Sequence, residues 1–431
     1  MYVGFQGRNI LWVSPRECEP PTGVSVLKVD DLDVAPETIV KEYTIWKGTL
    51  IRKDELFLQP SSDFKVAMVS LYGINCGIAT YTKYLCDEMR PLVKELKLFA
   101  EYADSKDCQD DVKDNVVRCW VRSGDYSNII SEVEKYDPDI IYVQHEYGSF
   151  SHGANWNYLI GHLQSRWRTV VVLHSVYDHF DKLVFEAPCQ EIIVHSMSGR
   201  ELLKQRGITH STINYIPHGC FPMSTVNLRF SAMQSKHVLF KYGFGFEYKG
   251  WENAITVVDK LKDQYPDLVY IGIFNVSKFS ENFNNSYYDK LMGIVRDKNL
   301  EKHFVLHKGF RTDEVLKSYM AQSKVNIFPY WNHHEWRVHG ASGAVRIALA
   351  SGTPTIVGDV PFFSEFKGHI PVCSTIDEYV DTISKIFQEP SYVVDVRQKT
   401  ANFIGQRTWA QIARWYLSVS PKSEFIALEK P

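Results

Sequence analysis

A chain of 431 residues with 45% hydrophobic and 23% charged residues has ample material for two or three buried cores, in the proportions of a globular protein. The formal net charge of −3 argues against a protein dominated by contacts to phosphate backbones, and no apolar run is long enough to span a bilayer. Eight cysteines lie scattered with no C-x-x-C pair, a pattern of reduced thiols rather than of a disulfide framework or a zinc site.

The N-terminus, MYVGFQGRNILWVSPRE, has no charged start followed by an apolar core and does not read as a signal peptide. The first 64 residues hold short apolar segments at 10–13, 24–29, 43–46 and 56–58. Pro15, Pro20, Pro21, Gly23 and Gly48 separate them, which predicts a small β-rich extension. Its acidic group Asp30, Asp31 and Asp33 reads as a solvated turn.

At Phe64 the texture changes. FKVAMVSLYG reads as a buried strand, and INCGIATYTKYLCDEM as a loop opening into a helix at Gly77. Strands at 96–100, 140–143, 169–173, 189–194 and 213–216 then alternate with helices at 126–136, 156–165 and 198–206, which predicts a parallel sheet covered on both faces. Ligands of such sheets sit beyond the carboxyl ends of the strands. Polar residues there are Gln144, His145 and Glu146, His174 and Ser175, His195 and Ser196, and His218 and Gly219. Four strands each followed so closely by a histidine is more than chance placement. His145, between two polar neighbours, is the candidate to act in catalysis or, as a neutral imidazole, to hold a sugar hydroxyl, with Gln144, Glu146 and His174 as its polar companions.

Residues 220–236 read as a linker to a second series. Strands are expected at 238–242, 268–274, 304–306 and 325–330, and helices at 253–262, 287–297 and 313–321. Lys249 of EYKGW follows the first of these strands. After the 325–330 strand a His-rich loop leads to Gly340, Ala341, Ser342, Gly343 and Ala344, then to a helix stopped by Gly352 and Pro354, and to a strand at 355–357. A strand, a small-residue loop and a helix N-terminus can aim backbone N–H groups at an anion. An ammonium at Lys249 would clamp a diphosphate from the other side. Residues 401–416 are read as one last amphipathic helix.

Over residues 65–416 the chain resembles the retaining nucleotide-sugar glycosyltransferases of the GT-B fold, specifically glycosyltransferase family 4. The likeness rests on NCGIATYTKYL, PDIIYVQHEYGSF, VVVLHS, IIVHS and INYIPHG in the first half. In the second it rests on FGFEYKGW and SKVNIFPY…SGAVRIALASGTPTIV. It implies an α/β, GT-B architecture: two Rossmann-like domains facing a central cleft, with the β-rich extension in front. The implied divisions are 1–64 for the extension, 65–222 for an acceptor domain, 223–400 for a nucleotide-sugar donor domain, and 401–431 for a C-terminal helix crossing back.

The resemblance further implies that Gly77 lies near the donor phosphates, His145 near the transferred sugar and Lys249 on the leaving diphosphate, with the Ser342, Gly343 and Ala344 amides against phosphates or sugar. Two glutamates that the family often carries, with seven residues between them, are here His339 and Ile347. His339 joins His145 and Lys249 as a catalytic candidate, Arg346 and Glu335 are polar candidates for holding the ribose, and Gln144, Glu146 and His174 fall on the implied acceptor side. The arginine that often partners the lysine is replaced by Phe244, which shifts charge stabilisation onto Lys249, with Arg311 as its helper.

The implied activity is transfer of a glycosyl unit from a nucleoside diphosphate sugar to an acceptor hydroxyl with retention. No metal ion and no cofactor are expected, since neither half carries Asp-x-Asp after a strand. The expected compartment is the cytoplasm. The acceptor stays open among glycan, lipid, protein and hydroxylated nucleobase, although the net charge gives nucleic acid no support. A GT-B nucleotide-sugar epimerase and a non-catalytic nucleotide-sugar binding protein are the rival readings.

Overall fold

The computed structural model describes residues 64–103, 114–122, 124–150, 153–177, 189–208, 212–223, 237–276, 280–331 and 338–418, together with the backbones of five short strands nearer the N-terminus. Contacts divide the chain into two units, Met1–Asp63 with Pro91–Lys94, and Phe64–Arg90 with Glu95–Pro431.

In the first unit β1 (Tyr2–Gln6) pairs antiparallel with β2 (Asn9–Ser14) and β3 (Ser25–Lys28), while β4 (Tyr43–Trp46) and β5 (Thr49–Arg52) form a hairpin. The expected strand at 56–58 and the Asp30, Asp31 and Asp33 group lie outside the described residues.

The second unit contains two parallel sheets. The first is built from β6 (Lys65–Ser70), β7 (Glu95–Glu101), β8 (Val116–Trp120), β9 (Ile140–His145), β10 (Arg168–Leu173), β12 (Glu191–Val194) and β13 (Thr212–Tyr215), in the order β13-β12-β10-β9-β6-β7-β8. A short strand, β11 (Ser175–Tyr177), follows β10 outside this sheet. The second sheet has β14 (Val238–Phe244), β15 (Val269–Asn275), β16 (Phe304–Lys308), β17 (Val325–Phe328), β19 (Thr355–Gly358) and β20 (Val372–Cys373), in the order β16-β15-β14-β17-β19-β20. The remaining strand is β18 (Val338–Gly340). Near-continuous apolar runs such as those of β6, β9 and β10 are what a sheet buried on both faces requires, and Val66–Val69, Ile141–Val143 and Val170–Val172 are completely buried.

Each sheet reverses its winding once. In the first, the chain moves outward from β6 to β7 and β8, then returns to the other side of β6 for β9. In the second, it moves from β14 to β15 and β16, then returns to the other side of β14 for β17. Crevices open at such switch points, beyond the carboxyl ends of the two strands where the order reverses. One crevice is therefore bounded by the loop before Gly77 and by Glu146. The other is bounded by the loop carrying Lys249 and by Tyr330.

The sheets are joined by chain crossings. β11 pairs antiparallel with β18, Ser175 opposite Gly340, Val176 opposite His339 and Tyr177 opposite Val338. Gly340 is required there, because a Cβ on it would come within 2.6 Å of the carbonyl oxygen of His174. The single helix expected over 401–416 is two helices, Pro390–Gly405 and Trp409–Ser418. The break falls where Cys220 inserts: its N–H donates to the Arg407 carbonyl at 2.7 Å, and Cys220 bridges Thr408. A continuous helix would have kept that carbonyl for itself. The last helix lies on helix Gly77–Met89, where the hydroxyls of Tyr81 and Tyr416 meet at 2.8 Å.

β8, β11 and β18 were not expected from the sequence. β8 alternates too little to declare itself, and the other two are three-residue strands that exist through each other.

Candidate active site

The strand expected to end at Val143 runs on to His145, and this decides where two candidates point. Successive side chains of a strand take opposite faces, so Gln144 and His145 diverge. His145 is fully buried, with its ring 4.9 Å from that of Trp156, 5.2 Å from Tyr147 and 6.0 Å from Phe150. It forms part of an aromatic wall behind the crevice. Gln144 turns the other way, donating to Met68 Sδ at 3.2 Å and accepting from His174 Nε2 at 2.8 Å.

His174, half-buried, belongs to a cluster centred on Tyr81. The rings of His174, His195, His218 and Trp409 lie 4.7, 5.0, 4.9 and 5.0 Å from the Tyr81 ring. His195 Nδ1 donates to the Ile216 carbonyl at 2.9 Å and His218 Nδ1 to the Gly219 carbonyl at 2.8 Å, which fixes both as the Nδ1–H tautomer. Burial holds all three imidazoles neutral, with the His195 pKa lowered to about 4 and those of His174 and His218 well below the usual histidine value. Three of the four strand-end histidines thus mark a packed seam between helix Gly77–Met89, the strand ends and Trp409.

Glu146 is the acceptor-side candidate left at the crevice. Its Oε2 accepts from the Ser175 hydroxyl at 2.7 Å and its Oε1 from the Tyr147 N–H at 2.9 Å. Burial pushes its pKa above the usual carboxylate range, partly offset by those two donors. Gly77, at the start of its helix, is exposed, and a Cβ placed on it would meet nothing within 4 Å, so the crevice stays open at that N-terminus.

Across the molecule, the loop after β14 carries Lys249. Its Nζ lies 4.4 Å from the ring centroid of Tyr330, 4.8 Å from that of Tyr248 and 5.6 Å from that of Phe362. Burial works against the charge, but the phenolic oxygens of Tyr248 and Tyr330 outweigh it and hold the pKa above the usual lysine value. Gly250 seats this loop. It has φ +70°, and a Cβ there would fall 1.8 Å from the carbonyl oxygen of Pro329. Trp331 braces the loop from the same side, its N–H donating to the Tyr248 carbonyl at 3.2 Å and its Nε1 to the Glu247 carbonyl at 3.1 Å.

Helix Gly343–Ala350 opens beside the seam. Ser342 is its N-cap and accepts from Val345 N at 3.4 Å, while Gly343 and Ala344, half-exposed, occupy the first turn, where amides have no intrahelical partner. A Cβ on Gly343 would stand 3.4 Å from His218 Nε2.

The remaining candidates are placed elsewhere. Arg346 is buried, donating from Nε to the His218 carbonyl at 3.0 Å, from one terminal nitrogen to the Ser342 carbonyl at 3.3 Å, and from the other to Glu365. It ties structural groups together rather than facing the crevice. His339 sits opposite Val176 with its Cβ toward Gly199 of helix Met197–Gln205, whereas its neighbour Gly340 faces Phe362. Strand alternation thus turns His339 away from the Phe362 side, where Lys249 lies. Arg311 is half-exposed, bonded to the Phe310 carbonyl at 2.9 Å, and precedes helix Asp313–Gln322, whose Asp313 accepts from the Tyr84 hydroxyl. Ile347 is buried, and Glu335 lies outside the described residues. Sequence reading missed Tyr248 and Tyr330. Both adjoin motifs already singled out, and only the packing of two loops brings them onto one ammonium.

The fold of the two sheets agrees with a set of solved structures. Sucrose-phosphate synthase from Thermosynechococcus elongatus superposes with a TM-score of 0.65 at 14% identity, covering 82% of this chain and 97% of its own. A glycosyltransferase from Rickettsia africae gives 0.67 at 11% identity, over 83% and 97%. HepE of Anabaena, in complex with UDP and glucose, gives 0.62 at 14% identity, over 82% and 98%. The fold is GT-B. No protein-family model matches the sequence, and no curated protein matches it. Among the described residues, no group of three or more His, Cys, Asp or Glu side chains is arranged to hold a metal ion, and no helix is long and apolar enough to cross a membrane.

Proposed function

We propose that the protein is a retaining glycosyltransferase, resembling family 4, that moves a sugar from a nucleoside diphosphate sugar to an acceptor hydroxyl without a metal ion. The observation that carries this reading is Lys249, charged among Tyr248, Tyr330 and Phe362 at the switch point between β14 and β17. The donor's diphosphate would lie against Lys249 and the first-turn amides of Gly343 and Ala344, with Gly77 closing on it from the other sheet. There the bond from the anomeric carbon to the phosphate oxygen breaks, a bond to the acceptor oxygen forms on the same face, and the acceptor's proton passes to the departing phosphate. Lys249 and the amides stabilise the charge that grows on the diphosphate, the part a metal ion plays elsewhere. Glu146, at the opposite crevice, is suited to orient the acceptor hydroxyl.

HepE is complexed with UDP and glucose, and the E. coli trehalose-6-phosphate structure carries UDP-2-fluoro glucose, so uridine donors are the first to try. A thermal-shift panel of UDP, GDP, ADP and CDP sugars should raise the melting temperature with one base, and nucleoside diphosphate should then be released in the presence of acceptor mixtures. Binding without release under any acceptor would favour the second reading, a non-catalytic nucleotide-sugar binding protein. That reading draws support from buried Ile347 at the place of a family glutamate. No shift with any donor would reject both.

A further inference from the structure

Lys241, in the middle of β14, is completely buried, and its Nζ has no hydrogen-bond partner. The group lies 3.7 Å from the ring centroid of Trp251, 5.6 Å from that of Tyr330 and 6.0 Å from that of Phe328. Tyr330 is the ring that Lys249 also approaches, so one phenol separates two lysine amines. Toward the carboxyl end of β14 the next position on the same strand face is Gly243, where an added Cβ would meet nothing within 4 Å. No side chain there stands between Lys241 and the switch point.

An ammonium without an anion is costly to bury, and aromatic faces repay only part of that cost. The groups packed against Lys241 from the helix beginning at Trp251 and from the end of β17 are ring faces, with the Tyr330 hydroxyl the one titratable group on them. Among the described residues, the charge acting on Lys241 is that of Lys249, and it is repulsive. Burial first, and Lys249 second, push the Lys241 pKa well below the usual lysine value. An anion placed against Lys249 would reverse the balance: it cancels the repulsion and supplies the missing counter-charge, while three aromatic faces already suit a cation.

We propose that Lys241 is a second cation of the diphosphate site, neutral in the free protein and protonated from solvent when a nucleotide sugar lies against Lys249. It supplies from within the sheet the positive charge that Phe244, at the end of the same strand, cannot. The proposal rests on the nucleotide-sugar reading of the site and adds to it that donor binding takes up a proton.

The test is calorimetric titration of the full-length protein with UDP-glucose at pH 8, in buffers of different ionisation enthalpy. The ligand's own phosphates carry no exchangeable proton at that pH. The expected result is uptake of about one proton per nucleotide by the unaltered protein. Lys241→Met should abolish the uptake and weaken binding about tenfold. Binding with the same enthalpy in every buffer, or uptake that survives in Lys241→Met, overturns the role of Lys241 and leaves the glycosyltransferase reading standing. If UDP-glucose and the GDP, ADP and CDP sugars all fail to bind, both fall together.

Discussion

Arg346 Nε donates to the backbone carbonyl of His218 at 3.0 Å, joining the helix that opens at Gly343 to the strand-end loop of the other sheet. The same guanidinium is paired with Glu365, itself nearly buried. Replacing Arg346 with Met would strand that carboxylate and the carbonyl. The expected loss is about 3–5 kcal/mol of stability, read as a lower urea midpoint at pH 7. A variant with unchanged stability and weakened nucleotide-sugar binding would restore Arg346 to the donor site.

Lys249→Met should behave in the opposite way. It removes a charge held on aromatic faces without leaving a carboxylate behind, so the melting temperature should hold. Turnover should fall by roughly 10²-fold or more, as when one charge-stabilising donor is lost from a transition state. Coupled release of nucleoside diphosphate, measured beside thermal unfolding, separates the two effects.

The buried histidines give a pH dependence whose sign can be worked out. His195 is depressed from 6.5 to about 4 by burial, so between those values the unfolded chain holds a proton that the folded protein refuses. Stability contributed by neutral His195 is therefore full above about pH 6.5 and declines as pH falls toward 4, by about 1.4 kcal/mol per unit at most. His174 and His218 shift in the same direction and steepen the loss. Urea midpoints at pH 7.5, 6 and 5 should fall in that order, and His195→Gln should flatten the slope by about one proton.

Two glycines should separate fold from ligand. Gly250→Ala forces φ +70° on a residue whose Cβ meets the Pro329 carbonyl at 1.8 Å, and should cost at least about 2 kcal/mol. Gly77→Ala meets no protein atom, so stability should change by less than about 1 kcal/mol. Nucleotide-sugar affinity should still drop if phosphates approach that amide. Thermal unfolding with and without UDP-glucose measures both.

The sequence by itself determined the alternation of apolar strands with amphipathic helices, and so two parallel sheets. It also set the loops at their carboxyl ends, because burial on both faces and the chemistry of Gly and Pro are written in local pattern. The places of Lys249, Gly77 and the Ser342–Ala344 turn in loops between strand and helix were legible for that reason. The directions of side chains were not. Where β9 ends, and hence that His145 joins an aromatic wall, depends on how far neighbouring strands pair with it. That Arg346 is consumed by Glu365 and His218, that His339 turns toward Gly199, and that Lys241 and Lys249 share Tyr330 depend on segments far apart in the chain. Only the tertiary structure decided these, because a side chain's partners are set by packing between elements, and local periodicity carries no record of it.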